Sequence, residues 1–336
     1  MDSDFKGFSG TYNYMRGRQL EGTFSDDPSI GMWGISGCRI GRGWGCLSRP
    51  LLPVPENWPP DDSPEFDRLA KPNRILLYQR IRDAKDACHF LARYGHVSAS
   101  FEITSQWFDA PNGEISIPEP SDAFVGGHAV SLCGYHPNEH RFKFANSWGE
   151  KWGVNGYGSL PYDFFDQFLT EAWCVRGICD EIPVSDRNHT QLIQWGLPDS
   201  LRDGLIHLVE MYDPRVDERL GWAFATERDG YLDIEDLFVK PQYRHQGIGT
   251  AFANALVDRS NEQRMPLRMW ISHADAPYTS ASPIKQLLIK MNLANVEPSG
   301  VRWASYLATG RPTDLNHEPQ IFQEPRVWLP AQMKAM

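Results

Sequence analysis

The stretch GGHAVSLCGY (residues 126–135) and the stretch RFKFANSWGEKWGVNGYGSLPYDFF (residues 141–165) place a histidine on one strand and an asparagine in the turn after the next. His128 follows two glycines, which let a substrate backbone come close to the strand. Asn146 comes eighteen positions later, where its amide can orient the imidazole, and two tryptophans just beyond it can shield that hydrogen bond from water. This order and spacing predict the histidine and the orienting group of a catalytic triad whose nucleophile is a cysteine.

The composition favours a folded protein of two domains. The chain has 336 residues, of which 41% are hydrophobic, and this is enough for two cores of ordinary size. The net charge is −10, the pI is about 5.5, and Lys and Arg do not cluster. These values argue against a nucleic-acid-binding surface and are typical of a solvated, acidic exterior.

The chain shows no sequence feature of export or of a membrane segment. No apolar run approaches the roughly 18 residues of a membrane span, and the acidic start MDSDFKGFSG lacks the features of a signal peptide. The six cysteines form no C-x-x-C pair and no cluster with histidines, so we expect neither a structural metal nor a disulfide framework. These features predict a reduced, cytoplasmic protein.

The two halves of the chain differ in their patterns. Residues 1–60 are rich in Gly and Pro, and we expect loops there. A helix is predicted that Asp83 caps and Gly95 ends, and the segments VSASFEI, HAVSLCGY and RFKFAN after it are predicted strands of an antiparallel sheet. Beyond a polar linker near residue 180, strands lead into a Gly-rich turn and a helix. We therefore predict an α+β domain over residues 1–180 and an α/β domain over residues 181–336.

The first half resembles the papain-like cysteine peptidases. The segments GGHAV, NSWGEKWGVNGYGSLPY and FF stand in that family's order and spacing, and weaker similarity runs upstream through YGHVSASFEI to YNYMRGRQLEGT. The resemblance covers about the first 180 residues. It implies a papain-like fold that largely retains the antiparallel-sheet half, with His128 as the triad histidine and Asn146 as its orienting asparagine.

The nucleophile of that family is not found where it is expected. In the family a cysteine opens a long helix that precedes the YNYMRGR region, so we expect this chain to begin after it. Cys46 is followed by five prolines within fourteen residues, and Cys38 by two glycines in RIGRG, and both patterns disfavour a helix. Three interpretations stay open: a pseudopeptidase that binds peptide-like ligands, a cysteine supplied by another segment or chain, or a start inside a longer reading frame. We favour the first.

A second motif, LFVKPQYRHQGIGTAF (residues 237–252), predicts a diphosphate site. A strand ends before Pro241, and Gly247 and Gly249 lead into a helix that starts near residue 250. Free backbone N–H groups and the positive end of the helix dipole favour an anion at such a turn. Arg244 adds positive charge beside it.

This motif resembles the acyl-CoA-binding sequence R/Q-x-x-G-x-G/A of the GNAT acetyltransferases, and LGWAFA, IEDLFV, RMWIS and PIKQLLIKMNL resemble the elements around it. The resemblance implies a GNAT fold with a mixed central sheet and acetyl-CoA as co-substrate. Backbone atoms at the end of the strand would meet the acetyl and pantetheine parts, and the turn would hold the pyrophosphate. The implied cofactor-binding residues are Leu237, Phe238, Val239, Arg244, Gln246, Gly247, Ile248, Gly249 and Thr250.

Transfer to an amine needs a base for the amine and an acid for the leaving thiolate. Glu235 and Asp236 lie on the central strand, where family members often place the base, and strand alternation sends at most one of them into the cleft. Leu288 stands where the family commonly has a tyrosine acid, and Tyr278 is a candidate substitute. The front of the GNAT domain is also shorter than in the family, so we expect the first half to supply the missing wall of the acceptor site.

The favoured hypothesis is an acetyl-CoA-dependent N-acetyltransferase that acts on an amine of a peptide or protein held by a pseudopeptidase domain. One alternative is a papain-like peptidase or transpeptidase whose cysteine comes from another segment or chain. The other is a non-catalytic module that senses acyl-CoA. None of the three calls for a metal, a nucleic acid or a membrane, and the acceptor and the oligomeric state stay open.

Overall fold

The computed structural model describes residues 7–178, 187–196, 205–275, 283–293, 295–299, 301, 304, 306–310 and 327–328. The helices are α1 (Gly10–Glu21), α2 (Gly34–Gly43), α3 (Pro64–Ala70), α4 (Ala84–Tyr94), α5 (Tyr162–Phe168), α6 (Ile248–Gln263) and α7 (Pro283–Lys290). The strands are β1 (Ile75–Arg80), β2 (Val97–Thr104), β3 (Phe124–His136), β4 (Arg141–Ala145), β5 (Tyr157–Pro161), β6 (Leu169–Ile178), β7 (Gln191–Gly196), β8 (Leu205–Asp213), β9 (Glu218–Arg228), β10 (Tyr231–Val239), β11 (Leu267–Ile271), β12 (Asn295–Pro298), β13 (Tyr306–Gly310) and β14 (Val327–Trp328). Among the helices of these ranges, none has the length and apolar character needed to cross a membrane.

The N-terminal half, residues 7–178, is built on an antiparallel sheet. Its six strands lie in the order β1-β6-β2-β3-β4-β5. The helix α4 forms where the sequence predicts it, because the Asp83 carboxylate accepts the Asp86 N–H at 2.7 Å and Gly95 ends the helix with a φ of 82°. Since all of these strand pairs are antiparallel, the antiparallel sheet predicted for this half is confirmed.

The expectation of loops over residues 1–60 is wrong, because α1 and α2 lie there. The helix α2, GISGCRIGRG, includes Cys38 and four glycines. Close packing explains the glycines: a Cβ atom on Gly43 would lie 3.0 Å from the ring of Trp222, which is fully buried. Tertiary contacts therefore stabilise a helix that intrinsic propensity disfavours.

A side chain of the sheet caps α2. The carboxylate of Glu171, on β6, accepts the backbone N–H groups of Gly34 and Ile35 at the start of the helix. These N–H groups have no partner within the helix, so the negative charge satisfies them and also meets the positive end of the helix dipole. The cap lies 136 positions from Ile35 in the chain, so no local sequence pattern announces it.

The C-terminal half, residues 187–328, contains a mixed sheet. Its order within the described residues is β12-β13-β11-β10-β9-β8-β7-β14, with β10–β11 and β7–β14 parallel and the other pairs antiparallel. The helix α6 packs against β8, β9, β10 and α7. The mixed central sheet predicted for this half is confirmed. The predicted boundary at residue 180 lies outside the described residues.

One hydrophobic core joins the two halves. The tryptophan Trp222 on β9 packs with Tyr78 on β1 and Ile35 on α2 in a single buried cluster. The other members of this shared core are Cys38, Ile75, Leu76, Leu77, Trp173, Ile193, Leu208, Tyr212, Phe224 and Phe238. Separating the halves would expose this apolar surface to water, so the two sheets form one packed body.

Buried ion pairs cross the same interface. In each of the pairs named here, the arginine belongs to the N-terminal half and the carboxylate to the C-terminal half. Arg42 binds Glu210 at 2.6 Å, and both side chains are fully buried. Two further pairs of this kind are Arg39–Asp236 at 2.7 Å and Arg82–Asp233 at 2.5 Å. Removing one partner of a buried pair leaves an uncompensated charge, so these contacts fix the relative position of the two halves.

Candidate functional site

The structure brings His128 and Asn146 together, on β3 and in the turn after β4. Nε2 of His128 donates to Oδ1 of Asn146 at 2.8 Å, and the Ser147 N–H donates to the same oxygen at 2.8 Å. Because an amide oxygen only accepts, Nε2 carries the hydrogen and Nδ1 is the basic nitrogen. Trp148 stacks on the imidazole with ring centres 4.4 Å apart. Burial lowers the pKa of His128, which favours the neutral ring that can act as a base.

Neither cysteine considered as a nucleophile has the environment of one. Cys46 precedes a short 3-10 turn and no α-helix begins there, as expected, and burial raises its pKa to about 11. Cys38 lies within α2, where burial and the nearby Glu171 carboxylate raise the pKa of the thiol well above its ordinary value. A thiol whose pKa is raised forms little thiolate and is a poor nucleophile.

The strands β10 and β11 separate where the predicted cofactor strand begins. Within the described residues they pair from Leu232 to Ile234, while β10 continues for five more residues to its end at Val239. The Lys240 N–H bonds to β9, so alternation along an antiparallel pair directs the N–H groups of Leu237 and Val239 to the other side. Backbone donors therefore face the gap between the two strands.

The turn after β10 leads into α6 as predicted. Gly247 adopts a φ of 83°, and no atom lies within 4 Å of the position that its Cβ would take. At the start of α6, the N–H groups of Ile248, Gly249 and Thr250 have no partner within the helix, because the first helical hydrogen bond is donated by Ala251. Arg244 lies beside this turn, and Nζ of Lys290 on α7 donates to the Thr250 hydroxyl at 2.7 Å. The turn thus combines free N–H groups with two cations, a combination that suits a diphosphate.

A cavity of about 530 Å³ connects the gap with the turn. Its size is that of a small-molecule site. Every predicted cofactor-binding residue except Gln246 lines it. The N-terminal half forms part of its wall through Leu20 and Glu21 of α1 and Ser36 and Arg39 of α2. No sequence motif marks these four residues, and the helices that carry them were not predicted.

The carboxylates proposed as bases lie elsewhere than expected. The register of β10 on β9 shifts between Ile234 and Asp236, which makes Glu235 a bulge residue. A bulge re-aims side chains, so both carboxylates face the N-terminal half and the alternation argument is wrong here. Glu235 accepts the Arg80 N–H at 3.3 Å, and Asp236 binds the guanidinium of Arg39. Neither carboxylate lines the cavity.

The position where the GNAT family commonly has a tyrosine acid is occupied by Leu288. Leu288 is buried in the core between α6 and the C-terminal sheet, and an aliphatic side chain cannot donate a proton. Tyr278 lies outside the described residues. The acid for the leaving thiolate therefore stays unassigned.

His128 and the cavity lie on opposite sides of the N-terminal sheet. His128 pairs across the strands with Phe101, which lies in the core of the N-terminal half. On β6, Cys174 joins that same core, whereas the adjacent Trp173 joins the core shared with the C-terminal half. Successive strand residues point to opposite faces. The sheet therefore separates the His–Asn pair from the wall formed by α1 and α2.

Comparison with known families matches two successive regions of the chain. The model of the papain family cysteine proteases matches residues 68–165, and that of the acetyltransferase (GNAT) family matches residues 169–281. The chain joins a papain-like domain to a GNAT domain. The GNAT match begins at the first residue of β6, a strand that pairs with β1 and β2. One strand of the GNAT-matched region therefore belongs to the N-terminal sheet.

Relatives of known sequence or structure match the papain-like domain. The chain is 35% identical over 72 residues to an uncharacterized peptidase C1-like protein of Acanthamoeba polyphaga mimivirus, and 29% identical over 98 residues to cathepsin J of Mus musculus. These matches cover 21% and 27% of this chain and 23% and 26% of the relatives, so the chain spans about a quarter of their length. Xylellain, a cysteine protease from Xylella fastidiosa, is 24% identical with a TM-score of 0.45, over 50% of this chain and 69% of that chain. Digestive procathepsin L 3 of Tenebrio molitor is 16% identical with a TM-score of 0.38, over 50% of this chain and 55% of that chain.

Proposed function

We propose that the protein is an acetyl-CoA-dependent N-acetyltransferase that acts on an amine of a peptide or protein. The observation that carries the proposal is the cavity. It extends along the gap beside β10, the turn at residues 244–250 (the diphosphate turn) and a wall formed by α1 and α2 of the papain-like domain. That wall supports the expectation that the papain-like domain completes the acceptor site. The acceptor would reach the cavity beside α1 and α2, because the sheet separates the cavity from His128.

The backbone of β10 supplies the electrostatics of the reaction. The amine nitrogen attacks the thioester carbonyl and forms a tetrahedral intermediate with a negative oxygen. The Leu237 N–H, which faces the gap, would stabilise this oxyanion. Such a donor lowers the activation barrier by roughly 3 kcal/mol. Collapse of the intermediate breaks the C–S bond and releases the CoA thiolate, which takes up a proton.

The diphosphate turn gives the direct test of cofactor binding. Glutamate at Gly247 would occupy the open space at the turn, repel a diphosphate and abolish acetyl-CoA binding measured by calorimetry. Gly230→Glu is a matched control, because Gly230 also has a positive φ and open space but lies in the β9–β10 hairpin, at the opposite end of β10. Binding to the wild type and to Gly230→Glu, with none to Gly247→Glu, supports the site. Absence of binding to the wild type would overturn the proposal.

Turnover needs a second measurement, because binding alone also fits a non-catalytic acyl-CoA sensor. A tryptic digest of casein presents many free α-amines and lysine ε-amines. Incubation with acetyl-CoA should yield acetylated peptides detected by mass spectrometry, together with free CoA thiol. Acetyl-CoA binding without any transfer from the wild type would favour the sensor.

For the papain-like domain we propose a binding role without peptidase activity. The raised pKa values of the thiols of Cys38 and Cys46 support it. The alternative, a peptidase completed by a cysteine from another segment or chain, has one specific observation in its favour: the His128–Asn146 hydrogen bond leaves Nδ1 as a free base. Hydrolysis of a fluorogenic peptide by the wild type, lost in His128→Ala, would favour that alternative.

We further propose a cytoplasmic location. Support comes from Cys38, Cys46, Cys88 and Cys133, which form no disulfide within the described residues. Such thiols are typical of a reducing compartment.

A further inference from the structure

We propose that Glu21, the last residue of α1 in the papain-like domain, is the base that deprotonates the acceptor amine in the GNAT cavity. The inference rests on the proposed acetyl transfer and names a residue of the same site. It makes the papain-like domain part of the catalytic machinery.

The position of Glu21 in the cavity wall supports its role as the base. Glu21 lines the same cavity as Leu237, whose N–H faces the gap where the thioester would lie. It belongs to the wall of α1 and α2, whereas the turn at residues 244–250 forms the diphosphate end. An amine that enters beside α1 would therefore lie between Glu21 and the thioester.

Glu21 is also better suited to act as a base than the second carboxylate of the cavity, Asp275. The carboxylates lining the described cavity are Glu21 and Asp275. Asp275 binds Arg39 through two hydrogen bonds of 2.9 and 3.0 Å and accepts the Ser272 hydroxyl at 2.8 Å. The partners of Asp275 lower its pKa, which makes it a weak base. Among the described residues Glu21 forms no salt bridge.

The surroundings of Glu21 favour uptake of a proton. Oε1 accepts the Trp33 N–H at 2.9 Å, which holds the side chain in place. Burial raises the pKa of Glu21, the negative charge of Glu171 adds to the shift, and hydrogen bonds and Arg39 oppose it in part. The carboxylate also stands at the C-terminal end of α1, where the helix dipole disfavours negative charge.

The carboxylate of Glu21 takes a proton from the acceptor ammonium, and the neutral amine then forms the C–N bond with the acetyl carbonyl. The C–S bond breaks, and the second amine proton neutralises the CoA thiolate. Glu21 returns its proton to solvent, so each turnover yields one amide, one thiol and one proton.

The test compares the full-length wild type with Glu21→Gln, using acetyl-CoA and the casein digest from pH 6 to 9. Glutamine retains an acceptor for the Trp33 N–H and removes the base. At neutral pH we expect the transfer rate to fall by about 10²-fold or more, with a deficit that narrows as rising pH frees the amine without a base. The dissociation constant of acetyl-CoA should not change. Asp26→Asn, an exposed carboxylate in the loop after α1, should behave as the wild type.

Chemical rescue separates a base from a structural residue. Glu21→Ala should lose activity and regain part of it when acetate or formate is added, since either anion can replace the missing carboxylate. The proposal is overturned if Glu21→Gln stays within about threefold of the wild type at all pH values, or if the losses follow acetyl-CoA affinity and added anions restore nothing. A wild type that transfers no acetyl group would instead refute the proposed function, and the role of Glu21 with it.

Discussion

Arg39 of α2 holds Asp236 of β10 through two hydrogen bonds, of 3.1 Å from Nε and 2.7 Å from Nη2. Only 7% and 4% of the two side chains are exposed, and the Tyr78 hydroxyl donates to the same carboxylate at 2.5 Å. Asp236 directly precedes the residues whose backbone faces the gap. The N-terminal half therefore fixes the strand that would hold the thioester.

Replacement of Asp236 by Asn should destabilise the protein. The variant keeps an acceptor for Tyr78 but leaves Arg39 with Asp275 as its remaining carboxylate, and loss of a charge from a buried pair costs about 3 kcal/mol. Urea unfolding would give this difference in the free energy of unfolding. Glu262→Gln, which removes an exposed pair with Arg259, should change it by less than about 0.5 kcal/mol. Equal stability of Asp236→Asn and the wild type would show that the ion pair does not secure the interface.

The glycine that ends α2 should not tolerate a methyl group. Gly43→Ala would place Cβ 3.0 Å from the buried Trp222 ring and 3.1 Å from the Lys240 side chain, and such overpacking costs roughly 1–3 kcal/mol. Gly10→Ala, at the open start of α1 with no atom within 4 Å, should be neutral or slightly stabilising. Thermal unfolding of both variants measures the contrast. Similar midpoints would mean that the interface can relax around the added atom.

A buried histidine should make stability depend on pH. Burial lowers the pKa of His207 from 6.5 to about 4, so the unfolded chain binds a proton more readily than the native protein. The free energy of unfolding should therefore fall as the pH decreases from about 6.5 to about 4, by about 3 kcal/mol from this group. His207→Gln should remove that part of the dependence, and His136→Gln, at the exposed end of β3, should not. The same pH dependence in all three proteins would contradict the assignment.

The hydrogen bond between Asn146 and His128 should be visible in a titration. Burial lowers the pKa of His128 and the bond to Asn146 opposes that shift, so Asn146→Ala should lower the pKa further. NMR of the imidazole nitrogens would measure it. Ser147→Ala keeps the backbone N–H that binds Asn146 and should leave the value unchanged. A higher pKa in Asn146→Ala would refute the arrangement.

The features that sequence analysis predicted correctly are local ones. The cap at Asp83, the turn at Gly95 and the strand that leads into the glycine turn at Gly247 each depend on residues a few positions apart. The pairing of His128 with Asn146 spans eighteen residues across one hairpin, which is still short enough for a motif to indicate it. Cys38 shows the limit, because its glycine-rich surroundings disfavour a helix that the shared core nevertheless stabilises.

The sequence by itself determined the two families, the class of each sheet and the turn that would bind a diphosphate, because these follow from spacing and alternation along short segments. Only the tertiary structure decided the rest of the cavity. Arg39 reaches the cavity because α2 packs on β9, and Glu21 reaches it because α1 packs on α2. The bulge at Glu235 directs Asp236 to Arg39. Such contacts join residues as many as 197 positions apart, and close packing between them depends on shape that no local pattern encodes.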